Sequence, residues 1–194
     1  LFLRVAPALL LNFLGAFLAW RRGSLDNSGG VAAFGVGFAI YALSGAFGWL
    51  LLMAFFITST VAGEVARESK RNLSALHEKG SRRDATQVLA NAGVPLACSL
   101  GYSISPDAAW LLALSAALAA ATADTWASEL GIAGRGKTVS LLTLRPVVPG
   151  TSGGVTLLGT AASFAGSLCI AGAAGIWLAL LGQPPSVVEL TRDA

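Results

Sequence analysis

Between Val31 and Gly63 the chain runs for 33 residues without one charged side chain. As a single helix this stretch would be about 50 Å long, against a bilayer hydrocarbon core of about 30 Å. It is therefore expected to hold two short helices, broken near Ser44-Gly45 or Gly48. Other apolar runs follow the same logic: Val5 to Trp20, Ala85 to Ile104 with polar inserts, Ala108 into residues 123–129, and Val155 to Leu181. The chain starts inside an apolar run, which is read as a true span. With 55% hydrophobic and 12% charged residues over 194, and a mean hydropathy of +0.70, this is an integral membrane protein and not a soluble domain. The expected fold is all-α, a polytopic transmembrane bundle of about six spans, with residues 1–194 forming one integral membrane domain.

Charge sets the orientation. With two helices in 31–63, the loops bearing Arg21-Arg22, residues 64–84 and Arg135/Lys137/Arg145 fall on one side and gather 11 of the 13 basic residues. The positive-inside rule makes that side cytoplasmic, and a bacterial cytoplasmic membrane is the expected location. A single long helix would break the agreement.

Ala123-Asp124-Thr125-Trp126-Ala127-Ser128-Glu129 then stands out. An ionisable group in a span costs on the order of 2.5–3.5 kcal/mol at a helix centre, so its default reading is functional. Asp107 is expected to mark the outer start of the fifth span, which puts Asp124, 17 residues on, about 25 Å along it and near the cytoplasmic end. Asp124 and Ser128 share one helical face, while Asp124 and Glu129 point about 140° apart. They would share one ion only if the helix unwinds near Gly131 or another segment contributes. Such oxygen ligands suit Mg²⁺, which is held by one or two carboxylates together with substrate phosphates. The plainer alternative is pairing with basic loop residues.

Two further motifs belong to the same side. Pro149-Gly150-Thr151-Ser152-Gly153-Gly154 precedes the last helix, with Thr151 or Ser152 expected to cap it, and its backbone N–H groups could cradle phosphate as readily as make a tight turn. Lys79, Arg82 and Arg83 form a basic turn before a span that carries Gln87 and Asn91 on one face. Arginines there can grip phosphate, and Asn91 hints at a polar cavity. Gly131-Ile132-Ala133-Gly134-Arg135-Gly136-Lys137-Thr138 matches a P-loop in spacing, but a membrane helix precedes it and no α/β sheet surrounds it, so it is read as a decoy. Cys98 and Cys169 lie in apolar runs and read as small core residues. The lone His77 has no partner for a transition metal.

Asp84 to Asn91, Ala123 to Gly131 and Val148 to Thr156 resemble the signature blocks of the DUF92 integral membrane family, and the resemblance covers the chain from about Ser28. That family includes the animal transmembrane protein 19 and the phytyl-phosphate kinases of tocopherol and phylloquinone synthesis. The resemblance implies a membrane-embedded kinase that moves a phosphoryl group from a nucleoside triphosphate, expected to be CTP, onto an isoprenyl monophosphate. The family continues past the sixth span with a Gly-rich segment bearing Asp-Ser-Leu-Leu-Gly-Ala-like residues. This sequence ends at Ala194 without it, so a missing C-terminal segment is expected.

Phosphoryl transfer fits the residues independently, since it needs mainly positioning and charge neutralisation. The expected assignment gives Asp124 and Glu129 to Mg²⁺ or to acceptor positioning. Lys79, Arg82, Arg83, Asn91 and Ser128 go to phosphate, and Gly150, Thr151, Ser152, Gly153 and Gly154 to the cradle. The partners are then nucleotide, an isoprenyl phosphate and membrane lipid, with no nucleic acid; homo-oligomerisation is left open. Two rivals stand beside this reading: a nucleotidyltransferase forming a CDP-lipid, and a transporter using the same acids, which would need polar residues across the outer half of the bundle.

Overall fold

A computed structural model of the chain describes residues 2–71, 82–133 and 136–182. Within them it forms helices α1 (Phe2–Arg21), α2 (Asn27–Arg71), α3 (Ala85–Ile104), α4 (Ala108–Ala133) and α5 (Leu157–Leu181), with strands β1 (Val139–Ser140) and β2 (Gly154–Val155) between the last two helices. Asn27–Ala66, Ala108–Ala133 and Leu157–Leu181 are each long and apolar enough to cross a membrane. Helices α1 and α3, at 20 residues each, reach about 30 Å.

The expected break in the long apolar run is at Gly45, whose φ of 69° and ψ of −162° interrupt α2. The helical stretches on either side fold toward each other. Tyr41 and Trp49 are eight residues apart, about 12 Å along an unbroken helix, yet their rings meet edge to face at 6.3 Å. Ile40 Cγ2 lies 3.2 Å from where a Cβ on Gly48 would stand. Counting α2 as two rods gives six helical rods, in keeping with about six spans.

Three expected boundaries shift. Helix α2 continues to Arg71, through residues read as loop, because Glu64 to Arg71 are mostly good helix formers with no Gly or Pro among them. Helix α4 likewise absorbs Gly131 and runs to Ala133. The third is at α5, whose cap is Thr156 and not Thr151 or Ser152: Thr156 Oγ1 accepts from the Gly159 N–H at 3.0 Å.

The chain divides into two compact units, residues 1–54, 81–118 and 171–194 in the first and residues 55–80 and 119–170 in the second. In the first, Asn12 of α1 is buried, and its Oδ1 accepts from Trp49 Nε1 at 2.9 Å. The same oxygen occupies the space a Cβ on Gly37 would need, so α1 packs closely on α2. Phe47 and Trp177 meet edge to face at 5.9 Å. Buried hydroxyls bond back to their own helix: Ser44 Oγ donates to Ile40 O, and Ser99 Oγ to Pro95 O.

The second unit is built on small residues. A Cβ on Gly166 would lie 3.2 Å from the Thr122 carbonyl oxygen, and one on Gly131 would lie 3.2 Å from Gly159 Cα. Membrane helices approach closely in this way because lipid offers no hydrophobic drive to hold them together. Gly166→Leu is therefore expected to destabilise the fold by about 1–3 kcal/mol through overpacking. Gly172→Leu, with nothing within 4 Å of its Cβ position, should not. Thermal unfolding in detergent checks both.

Candidate functional site

The second unit holds the acidic cluster. Asp107 opens α4 as expected, its Oδ1 accepting from the Ala109 N–H at 2.8 Å. Asp124 and Ser128, one turn apart, are both exposed, whereas Glu129 is half-buried. The Glu129 carboxylate packs beside α2, with Oε2 3.7 Å from the Cβ position of Gly63. Since α4 stays helical to Ala133, it does not unwind near Gly131. Asp124 and Glu129 therefore keep their separation of about 140° around the axis.

The start of α5, just after the glycine turn, stands against the end of α4. Thr156 Oγ1 donates to the Gly131 carbonyl at 3.3 Å. The turn does not run straight into α5. Instead Gly154 and Val155 pair antiparallel with Ser140 and Val139, and Leu141 N–H donates to Gly153 O at 2.9 Å. On its other edge the 138–140 segment meets residues 145–147, with Ser140 N–H donating to Arg145 O and Val147 N–H to Thr138 O, both at 2.9 Å. The result is a small ribbon. Gly150 at φ 89° and Gly153 at φ 74° take conformations that side chains rarely adopt. The turn's own hydrogen bonds use the amides of Thr151, to Val148 O, and Gly154, to Thr151 O. Among the described residues they do not use those of Gly150, Ser152 or Gly153.

The P-loop resemblance ends here. Gly131 to Ala133 are helical, and the chain passes from helix α4 to strand β1, the reverse of the strand-to-helix order a P-loop needs. Lys137 is exposed and Thr138 buried.

The first unit holds the basic turn. Lys79 lies outside the described residues. Arg83 bridges Leu25 in parallel: its N–H donates to Ser24 O at 3.0 Å, and its carbonyl accepts from the Asp26 N–H at 3.1 Å. Asp84 and Gln87 form a reciprocal capping box at the start of α3, in which Gln87 Oε1 accepts from the Asp84 N–H at 3.2 Å. Ser28 Oγ accepts from the Ala85 N–H at 3.1 Å, joining the starts of α2 and α3. Arg82 is exposed, its guanidinium beside Gly23. Asn91 is half-buried one turn before Pro95. Pro95 has no N–H, so it removes the helix donor for Asn91's own carbonyl.

Asp26 caps α2, and this role is one that the sequence shows only as one of several polar residues. The hydrogen bond from the Gly29 amide, then that from Ser28 Oγ, hold its carboxyl below the ordinary carboxylate range, with Arg82 adding to the effect. A carboxyl with a depressed folded-state pKa stabilises the fold at pH values above its unfolded pKa. That contribution is lost as pH falls through the folded value. The junction at residues 23–29 and 82–87 is thus expected to loosen below about pH 4, and Asp26→Asn should remove the pH dependence. Amide hydrogen exchange at Gly29 and Ala85 measures both.

The donor set bears on the expected Mg²⁺. Among the described residues no three of His, Cys, Asp and Glu cluster. Asp124 offers one exposed carboxylate with a hydroxyl a turn away. That matches a Mg²⁺ ion held by one or two carboxylates and completed by phosphate oxygens and water, and not an all-protein cage.

Comparison with known proteins places this architecture. The sequence pattern of a family described as integral membrane protein DUF92 matches residues 10–191. Protein PGR of Arabidopsis thaliana is 34% identical over 176 residues, covering 84% of this chain and 61% of that protein. An uncharacterized membrane protein of Methanocaldococcus jannaschii is 30% identical over 168 residues, 87% of this chain and 69% of the relative. Protein VTE6, chloroplastic, of Arabidopsis thaliana is 30% identical over 190 residues, 95% of this chain and 56% of that protein. The chain thus spans little more than half to about two thirds of the length of these relatives. No solved structure matches it.

Proposed function

This chain belongs to the DUF92 family of integral membrane proteins, and from that premise we propose that it is a membrane-embedded kinase acting on an isoprenyl, phytyl-type monophosphate. An oxygen of the acceptor phosphate attacks the γ-phosphorus of a nucleoside triphosphate, expected to be CTP. The β–γ bridging P–O bond breaks, CDP leaves with that oxygen, and an isoprenyl diphosphate forms. The observation that carries the reading is the exposed Asp124–Ser128 pair on α4, at the cytoplasmic end of its span by charge topology, in a family that includes phytyl-phosphate kinases.

The acceptor is already a phosphate monoester, so the chain needs no strong base. Its task is to position two anions and offset their repulsion. Asp124 would hold Mg²⁺, whose charge would offset that of the phosphates, and Ser128 would donate to a phosphate oxygen. Glu129, on another face beside Gly63, positions the acceptor and does not share that ion. The amides of Ser152 and Gly153 bind phosphate oxygens. Arg82, Arg83 and Lys79 are assigned to phosphate by their chemistry, and Asn91 by its polarity within a span.

The transporter rival predicts polar groups left free to line a path. The buried hydroxyls of Ser44, Ser99 and Ser115 instead donate to carbonyls of their own helices, Ser115 Oγ to Leu111 O at 2.8 Å, and Ser59 Oγ is a buried hydroxyl without a partner. The nucleotidyltransferase rival is separated by labelling. Purified protein given phytyl phosphate with γ-labelled or α-labelled CTP is expected to transfer label to lipid from the γ position alone. Transfer from α alone makes it a transferase. Mg²⁺ affinity should rise sharply when CTP is present, because phosphate oxygens complete the shell; tight binding of Mg²⁺ to the free protein contradicts this donor set.

A further inference from the structure

The ribbon between α4 and α5 carries an apolar tip that phosphoryl transfer does not use. Leu141, Leu142 and Leu144 are 65%, 93% and 75% exposed. They are held outward by a defined turn: Leu144 N–H donates to Ser140 O at 2.8 Å and Thr143 N–H to Ser140 Oγ at 3.3 Å. Leu144 takes a left-handed φ of 54°, which a side-chain-bearing residue adopts at a cost. Three leucines fixed in water, one of them on a strained backbone, are unfavourable unless an apolar phase covers them.

The surroundings identify that phase. Exposed leucines on the helices face lipid at the flank of a span, but these lie on a loop. That loop leaves α4 at Ala133 and enters α5 at Leu157, two helices long and apolar enough to cross the bilayer, so it emerges at the membrane surface. From Gly134 to Thr156 there are three basic residues, Arg135, Lys137 and Arg145, and no acidic one; the Lys137 and Arg145 side chains are exposed. Such a segment repels a second copy of itself and is attracted to anionic headgroups.

We propose that the Leu141–Leu144 tip inserts into the interfacial layer of the bilayer, with Lys137 and Arg145 at anionic lipid headgroups, and anchors the ribbon there. Because Leu141 N–H bonds to Gly153 O, the anchor also sets the depth of the glycine turn, at the level of a lipid-borne phosphate. That last consequence rests on the kinase reading; the anchor does not.

The test uses the full chain with Cys98 and Cys169 replaced by alanine and Leu142→Cys carrying an environment-sensitive NBD fluorophore, reconstituted into phosphatidylcholine–phosphatidylglycerol vesicles. The expected result is a blue-shifted emission, quenched by lipids bearing a shallow nitroxide and protected from aqueous iodide. Adding Lys137→Gln and Arg145→Gln should shift the emission back toward red and restore part of the iodide quenching. Quenching by iodide alone would mean a tip in water, and protection from both quenchers a tip covered by protein; either overturns the proposal. No step of the test depends on catalysis, so a failed kinase assay and a failed anchor are distinguishable.

Discussion

Asp124→Asn is expected to lower phosphoryl transfer by on the order of 100–1,000-fold, the range lost when one pre-positioned electrostatic group is removed from a site where charge develops. The substitution keeps shape and removes a negative charge. Asp124 is exposed on α4, so its loss should change stability by no more than about 0.5 kcal/mol, and thermal unfolding in detergent should be unmoved. The residual activity should need more Mg²⁺ for half-maximal rate. If Asp124 only paired with basic loop side chains, the variant would instead keep its turnover and change its salt dependence. Glu129→Gln gives a contrasting pattern: the carboxylate is half-buried beside Gly63, so a positioning role predicts a raised KM for the acceptor with the Mg²⁺ requirement unchanged.

The second large effect concerns the fold. Gly45 combines φ 69° with ψ −162°, a region open essentially to glycine alone. Nothing lies within 4 Å of the position a Cβ would take, so Gly45→Ala meets no steric obstacle and its whole cost is conformational, about 1–3 kcal/mol. The variant can escape that cost only by becoming helical at 45, which would part the Tyr41 and Trp49 rings and remove the Asn12–Trp49 hydrogen bond. It would also turn Asn27–Ala66, 40 residues, into one rod of about 60 Å, twice the hydrocarbon thickness. A lower Tm together with a red-shifted Trp49 emission is expected. An unchanged Tm would mean that the break is not specified by Gly45.

These two positions show what was legible in the sequence. The break near Ser44-Gly45 follows from arithmetic, because a charge-free run of 33 residues is too long for one crossing and contains glycine where it can turn. The start of α3 follows from chemistry, since Asp84 and Gln87 stand three apart as a capping box requires. Other features depend on partners distant in sequence. Gly131 looks like a helix terminator but lies within α4, where its missing side chain lets Gly159 approach. The Gly150–Gly154 turn looks like a helix cap, but Val139 and Ser140 draw its end into a ribbon and leave the capping to Thr156. Local sequence does not reveal which strand a two-residue segment will pair with. The same limit applies to the site. The acids, the glycine turn and the basic turn were visible as motifs, whereas the packing of Glu129 against Gly63 and the stitching of Arg83 to Ser24 and Asp26 were not.

The proposed activity is the transfer of one phosphoryl group onto a lipid phosphate. The most direct measurement is the stoichiometry of products from purified protein in vesicles given CTP, Mg²⁺ and phytyl monophosphate. One CDP released for each phytyl diphosphate formed, with both slowed together by on the order of 100–1,000-fold in Asp124→Asn, is the predicted result. Pyrophosphate release with a CDP-lipid, or no nucleotide turnover by a folded and reconstituted protein, would contradict it.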